Sequence, residues 1–300
     1  MTDSPLTTDT THVLRGAAYV LASGIFFTLA GVAVRVAAES VPLETIVFFR
    51  NLFAMAAFAP WLLVSGMKGL STAVPGLHAV RTAAGLSAMY CYYYALTAIP
   101  LADAVLLNFT GPVFTPLIAL LWFGLAIHRG TLVALLVGFL GVALIVRPEG
   151  LVLDPAAGIG LLAGLLGAVS VVAIWRMGSG EPAARIVFYY TAGSTLVSAL
   201  PMLLTGALPA EGGTWTALML CGGLSALAHL LFAKGCSIAP ADRTNALSYG
   251  SVLFAALLGW RIWDEQPGIE LLAGTLLIAV SATMVTRQRS QAQRSGAKRS

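Results

Sequence analysis

AIPLADAVLLNFTGPVF, residues 98–114, and SIAPADRTNALSYGSVLF, residues 237–254, follow one pattern. A constant offset of 139 pairs Ile99 with Ile238, Ala102 with Ala241, Asp103 with Asp242, Gly111 with Gly250 and Val113 with Val252. Further along, LLVG ending at Gly138 matches LLAG ending at Gly274 at an offset of 136. A polar, Gly/Pro-punctuated stretch that returns at one spacing predicts a chain built from two similar halves.

The surroundings of both stretches set the class. Hydrophobic residues make up 58% of the chain and charged residues 10%, with a mean hydropathy of +0.86, far from soluble globular usage. Windows such as Thr131–Val146 and Ala156–Ile174 carry no charge and approach or reach the length a helix needs to cross a bilayer. Lipid offers no partners to open strand edges, so continuous apolar spans of this kind are helices. The alternating pattern of an outer-membrane barrel is absent. The fold class is therefore all-α and polytopic.

Charged and Pro/Gly breaks divide the chain into ten predicted spans: 14–36, 43–65, 74–98, 101–123, 131–147, 157–177, 184–206, 214–238, 242–262 and 268–286. Residues 1–13 form a polar tail, 14–150 and 151–286 two five-helix repeats, and 287–300 a basic tail with five Lys or Arg. Five is odd, so the halves run through the membrane in opposite senses. The first span is too long for a signal-peptide core and lacks an Ala-x-Ala exit, so it is read as retained. Both termini are expected in the cytoplasm, because that orientation places Arg15, Lys68, Arg129, Arg176, Arg185, Arg243 and the basic tail inside. The basic tail suits anionic lipid, not nucleic acid. Cys91, Cys221 and Cys236 fall inside spans and suggest neither a disulfide framework nor a metal site.

With the ten-span plan, FFRNLFA around Arg50, YYALTAIPLADAVLLNFTGPVFTPLIALLWFG through spans three and four, and the weaker second copy ending LLGWRIWDEQP, the chain resembles the EamA type of the drug/metabolite transporter superfamily along nearly its whole length. The resemblance implies alternating-access carriage of small metabolites without ATP hydrolysis. It extends both to amino-acid exporters of the YddG kind and to uptake carriers for S-adenosylmethionine or riboflavin. Inverted repeats build one midplane site with two interchangeable gates.

The polar residues inside spans are the candidate site, and each has two readings. Tyr90 and Tyr94 share a helix face and line a wet cavity or form an interface belt; Tyr92 and Tyr93 are assigned to belt or packing. Asn108, Pro112 and Thr115 make a polar, helix-weakening stripe beside Gly111, and Asn245, Ser248 and Tyr249 repeat it before Gly250. Polar groups at this depth face protein or water, which favours a substrate cavity over mere helix–helix adhesion. Pro112 deprives a carbonyl one turn earlier of its partner, so a kink is expected there. Asp103 and Asp242 follow prolines at helix starts, where a carboxylate complements the helix dipole, and are read as end groups and gate elements.

Arg50 snorkels, pairs with Glu39 or Glu44, or meets a substrate carboxylate. His229, the only histidine deep in a span, either packs by hydrogen bonding or couples to protons. Trp175 is a belt or gating residue, and Gly160, Gly164 and Gly167 are packing positions. No phosphate loop, zinc-protease or nucleophile-elbow motif is present, so neither an ATPase nor a hydrolase is indicated, and no cofactor is expected. The expectation is a secondary exporter of amino acids or related metabolites in the bacterial inner membrane, a monomer or weak homodimer. The rivals are uptake of a cofactor-like nutrient and an intramembrane lipid-modifying enzyme, for which acids and histidines at one depth are wanting.

Overall fold

A computed structural model of the chain describes residues 10–123, 129–146, 154–177, 181–205, 207–238, 250–266 and 268–297. All regular structure among these residues is helical. The helices are α1 (Thr10–Ala37), α2 (Leu43–Ala57), α3 (Ala59–Ser65), α4 (Pro75–Ala98), α5 (Leu101–Asn108), α6 (Gly111–Phe123), α7 (Arg129–Val146), α8 (Pro155–Met177), α9 (Ala183–Thr205), α10 (Gly212–Ile238), α11 (Gly250–Trp263) and α12 (Ile269–Ala297). A 3-10 turn, Met67–Leu70, precedes α4. Segments of α1, α8, α9 and α10 are long and apolar enough to cross a membrane.

Proline chemistry explains where predicted spans divide. The second span breaks at Phe58, two residues before Pro60, and leaves α2 and α3. The fourth breaks at Phe109–Thr110, just ahead of Gly111 and Pro112, where the kink was expected. The Thr110 hydroxyl donates to the Leu107 carbonyl at 2.6 Å and so satisfies a backbone group at the break. Only a glycine fits opposite it on α8. A Cβ on Gly164 would sit 2.1 Å from Thr110 Oγ1 and 2.7 Å from the Leu107 carbonyl oxygen. The turn at Ile99–Pro100 is as tight as predicted, whereas its counterpart at 239–241 lies outside the described residues.

Each extensive helix pairing joins an element before residue 147 to one after residue 154. α1 runs along α10, α4 along α8, α2 along α9 and α7 along α12. Large apolar side chains face outward, among them Leu196, Leu200, Leu203 and Leu204 on α9 and Leu136 and Leu140 on α7. Polar side chains such as Ser23, Thr28, Asn51, Ser194 and Ser198 are buried. Apolar outside and polar within is the arrangement a hydrocarbon solvent selects.

Candidate functional site: a central arginine cluster between two polar latches

The interior of the bundle holds a buried arginine and a part-buried one. Arg50, on α2, is 3% exposed. Its Nη1 donates to Asn51 Oδ1 at 2.7 Å and lies 3.8 Å from Met89 Sδ. Asn51 Nδ2 donates to the Val47 carbonyl at 2.8 Å, which turns the amide oxygen toward Arg50. Arg81, near the start of α4, donates from Nη1 to Ser170 Oγ on α8, and that hydroxyl donates back to the Arg81 carbonyl at 3.2 Å. Its guanidinium lies 4.1 Å over the Tyr190 ring of α9, a cation–π contact. A Cβ at Gly85, one turn along α4, would fall 2.2 Å from Arg81 Nη1 and 2.8 Å from the Tyr190 ring, so glycine makes room for both.

Residues of α2, α4, α8, α9 and α10 converge on this point. Arg50 is within electrostatic reach of Tyr93, Tyr190 and Cys221, and His229 within reach of both arginines. The Tyr93 hydroxyl lies 3.7 Å from Cys221 Sγ. The His229 ring packs edge-on to Phe27 at 4.9 Å and sits 5.9 Å from the Tyr190 ring. Its Nδ1–H donates to the Ser225 carbonyl at 2.7 Å, which fixes the tautomer. The ion pairs among the described residues all lie elsewhere. Both Nε atoms, of Arg50 and of Arg81, are buried without a hydrogen-bond partner. A buried guanidinium is ordinarily paired, because its desolvation is costly.

Polar latches close the two ends of the cluster. At one end Arg35, from α1, pairs with Glu265 between α11 and α12 and lies 4.4 Å over the Trp263 ring. Glu265 Oε2 also accepts the Leu101 N–H at 2.9 Å, from the tight turn before α5. Pro100, Ala102, Asp103, Glu265 and Gln266 border a cavity of about 190 Å³ beside it.

At the other end Glu181 gathers Thr72 Oγ1 at 2.7 Å, His78 Nε2 at 3.3 Å and Arg185 Nη1 at 3.2 Å. Arg185 Nε donates to the Gly69 carbonyl and the Tyr189 hydroxyl to the Leu70 carbonyl, both at 2.7 Å. Burial pushes the Glu181 carboxyl up, but the bonds from Thr72, Arg185 and His78 outweigh it and hold the group below the usual carboxylate range.

The structure places the sequence-derived candidates unevenly. Arg50 and His229 meet in the cluster. Arg50 bonds to Asn51 and contacts Met89, and it neither snorkels nor pairs with Glu39 or Glu44. Tyr94 is 43% exposed on the outside of the bundle, while Tyr93 is 5% exposed and turned inward. Tyr90 is half-buried, with a buried hydroxyl lacking a partner among the described residues. Asn108 ends α5 at the break, Pro112 stands in the first turn of α6, and Asp103 lies in the first turn of α5 by the cavity. Trp175 lies on α8; its side chain, like that of Pro112, is outside the described residues, as are Asp242, Asn245, Ser248 and Tyr249 altogether.

Arg81, Ser170 and Tyr190 were not among the candidates. Arg81 carried a legible signal, being a charge several residues inside the third apolar span.

Comparison with known proteins agrees with this architecture. The sequence model of the EamA-like transporter family matches twice, over residues 14–147 and 155–287. The pseudopaline exporter CntI of Pseudomonas aeruginosa (strain UCBPP-PA14) is 33% identical over 272 residues, covering 89% of this chain and 94% of that protein. A riboflavin transporter of Vibrio cholerae is 23% identical over 94% of this chain and 96% of its own. An S-adenosylmethionine uptake transporter of Rickettsia felis is 25% identical over 80% and 81%. One solved crystal structure shares the fold with a TM-score of 0.65 at 19% identity, over 93% of this chain and 99% of its own.

Proposed function

The chain belongs to the EamA-like transporter family of the drug/metabolite transporter superfamily, and from that premise we propose that it exports amino acids or related small metabolites across the bacterial cytoplasmic membrane by alternating access. It is an integral membrane transporter of small molecules. The observation that carries the finer reading is the placement of a polar cluster between two latches, each tying an element before residue 147 to one after residue 154. Releasing one latch while the other holds exposes the centre to one side at a time.

The ten-span, inverted-repeat plan is supported by the double family match and by the helix pairing. Exchanging each helix of the first half for its counterpart in the second turns α1–α10 into α8–α4 and leaves α2–α9 and α7–α12 unchanged. Under that plan both termini are cytoplasmic, the Glu181 latch faces the cytoplasm and the Arg35–Glu265 latch faces outward. The transported solute passes between them, along Arg50, His229 and Tyr90, with the Asn108–Pro112 break as a hinge. Neither ATP nor a catalytic step is involved.

Export is favoured by the 33% identity with a protein named as an exporter; the riboflavin and S-adenosylmethionine carriers at lower identity support uptake as the second reading. Proteoliposomes loaded with a panel of amino acids and cofactors, with and without a pH gradient, decide the matter. Efflux of an amino-acid-like solute is expected, and a chain that moves no small solute in either direction is not a transporter.

A further inference from the structure

We infer that the solute is an anion carrying two carboxylates, neutralised by Arg50 and Arg81, which both lie within reach of Tyr190; the inference rests on the transporter reading and names its substrate class. Two permanently charged guanidiniums, Arg50 buried on α2 and Arg81 part-buried two turns into α4, lie against polar and aromatic side chains of the bundle, and no carboxylate among the described residues pairs with either. Arg50 is 3% exposed, and its Nε and that of Arg81 have no acceptor.

The groups that hold the arginines are neutral. Asn51 and Ser170 supply acceptor oxygens, Met89 a thioether and Tyr190 a ring face. These orient a guanidinium and leave its charge unbalanced. A permanent charge in hydrocarbon is retained where it serves a passing ion. Each guanidinium fork matches one carboxylate in bidentate geometry, so two forks ask for two carboxylates.

A zwitterion with one carboxylate leaves one arginine unmatched. A guanidinium fork also matches phosphate, so inorganic phosphate is the competing probe in the test.

The test uses the full chain in proteoliposomes with labelled L-glutamate, succinate, L-leucine and inorganic phosphate. Flux of succinate or L-glutamate is expected to exceed that of L-leucine at least tenfold. Arg50→Gln or Arg81→Gln should raise the KM for the dicarboxylates about ten- to a hundredfold, the range for a lost charged hydrogen bond. Arg81→Lys, which keeps the charge, should restore part of the loss and shows that the site still folds. Equal transport of L-leucine and succinate, or preference for inorganic phosphate, overturns the dicarboxylate assignment and leaves the transporter reading standing. Glutamine variants with unchanged KM do the same. Absence of flux for all four probes together with every amino acid and cofactor of the wider panel overturns both.

Discussion

His78 Nε2 lies 3.3 Å from a carboxylate oxygen of Glu181, joining the start of α4 to the segment before α9. The same carboxylate accepts from Thr72 and Arg185. Because the folded-state pKa of Glu181 is depressed, its contribution is complete above the unfolded carboxyl value of about 4.3 and disappears as pH falls through the lower folded value. The difference in thermal midpoint between the wild type and Glu181→Gln should be constant above about pH 5 and shrink toward zero below it. A difference that grows on acidification contradicts the depressed pKa.

Arg81 over Tyr190 supports a second prediction, in which ring and hydroxyl are separated. Tyr190→Phe keeps the aromatic face and loses the hydroxyl, with its long 3.5 Å bond to the Gly85 carbonyl and its reach to Arg50 and Arg81, so a cost of about 1 kcal/mol is expected. Tyr190→Ala removes the cation–π face and a side chain that is 4% exposed, and should cost about 3–5 kcal/mol. Denaturation of the two variants in detergent, monitored by circular dichroism, gives the comparison. Equal losses would assign the stabilisation to the hydroxyl instead.

The sequence made local consequences legible and convergences illegible. The break before Pro112 and the tight turn at Pro100 follow from missing amide donors and fixed backbone angles, which act within one turn of chain. The inward choice of Tyr93 over Tyr94 does not. Tyr90, Tyr92, Tyr93 and Tyr94 together span most of the circumference of α4, so their spacing cannot set which faces in. The packing of α4 on α8 sets that rotation. The arginine cluster likewise draws on α2, α4, α8, α9 and α10, and its members share no spacing in the chain. Arg50 and His229 stood out because polar residues are rare at their depth; Arg81 met the same criterion.

Gly164 and Gly158 lie on one helix and should respond oppositely to alanine. A Cβ at Gly164 meets the Leu107 carbonyl oxygen at 2.7 Å, backbone that cannot swing aside, and Thr110 Oγ1 at 2.1 Å. Overpacking of this kind costs about 1–3 kcal/mol. Gly158 has nothing within 4 Å of a new Cβ, and Gly158→Ala should be neutral or stabilising by up to about 1 kcal/mol through helix propensity. Thermal midpoints of the two variants under one detergent condition test the contrast. A neutral Gly164→Ala would mean that the α5–α6 break yields to its neighbour.

Glu265 holds three elements at once, since it pairs with Arg35, accepts the Leu101 N–H and donates its own N–H to the Gly259 carbonyl at 3.2 Å. Glu265→Gln keeps an oxygen for Leu101 and removes the charge from Arg35. An ion pair at partial exposure is worth about 0.5–1 kcal/mol, equivalent to a two- to fivefold change in the open population. Ala102 borders the adjoining cavity and is 6% exposed. An Ala102→Cys reporter should therefore react two- to fivefold faster with a membrane-impermeant maleimide when Glu265→Gln is present. A Ser71→Cys reporter at the opposite latch should not accelerate. Peptide mass spectrometry separates both reporters from the native Cys91, Cys221 and Cys236 thiols. An unchanged rate at position 102 would make the Arg35–Glu265 pair a fastening of the fold without a gating role.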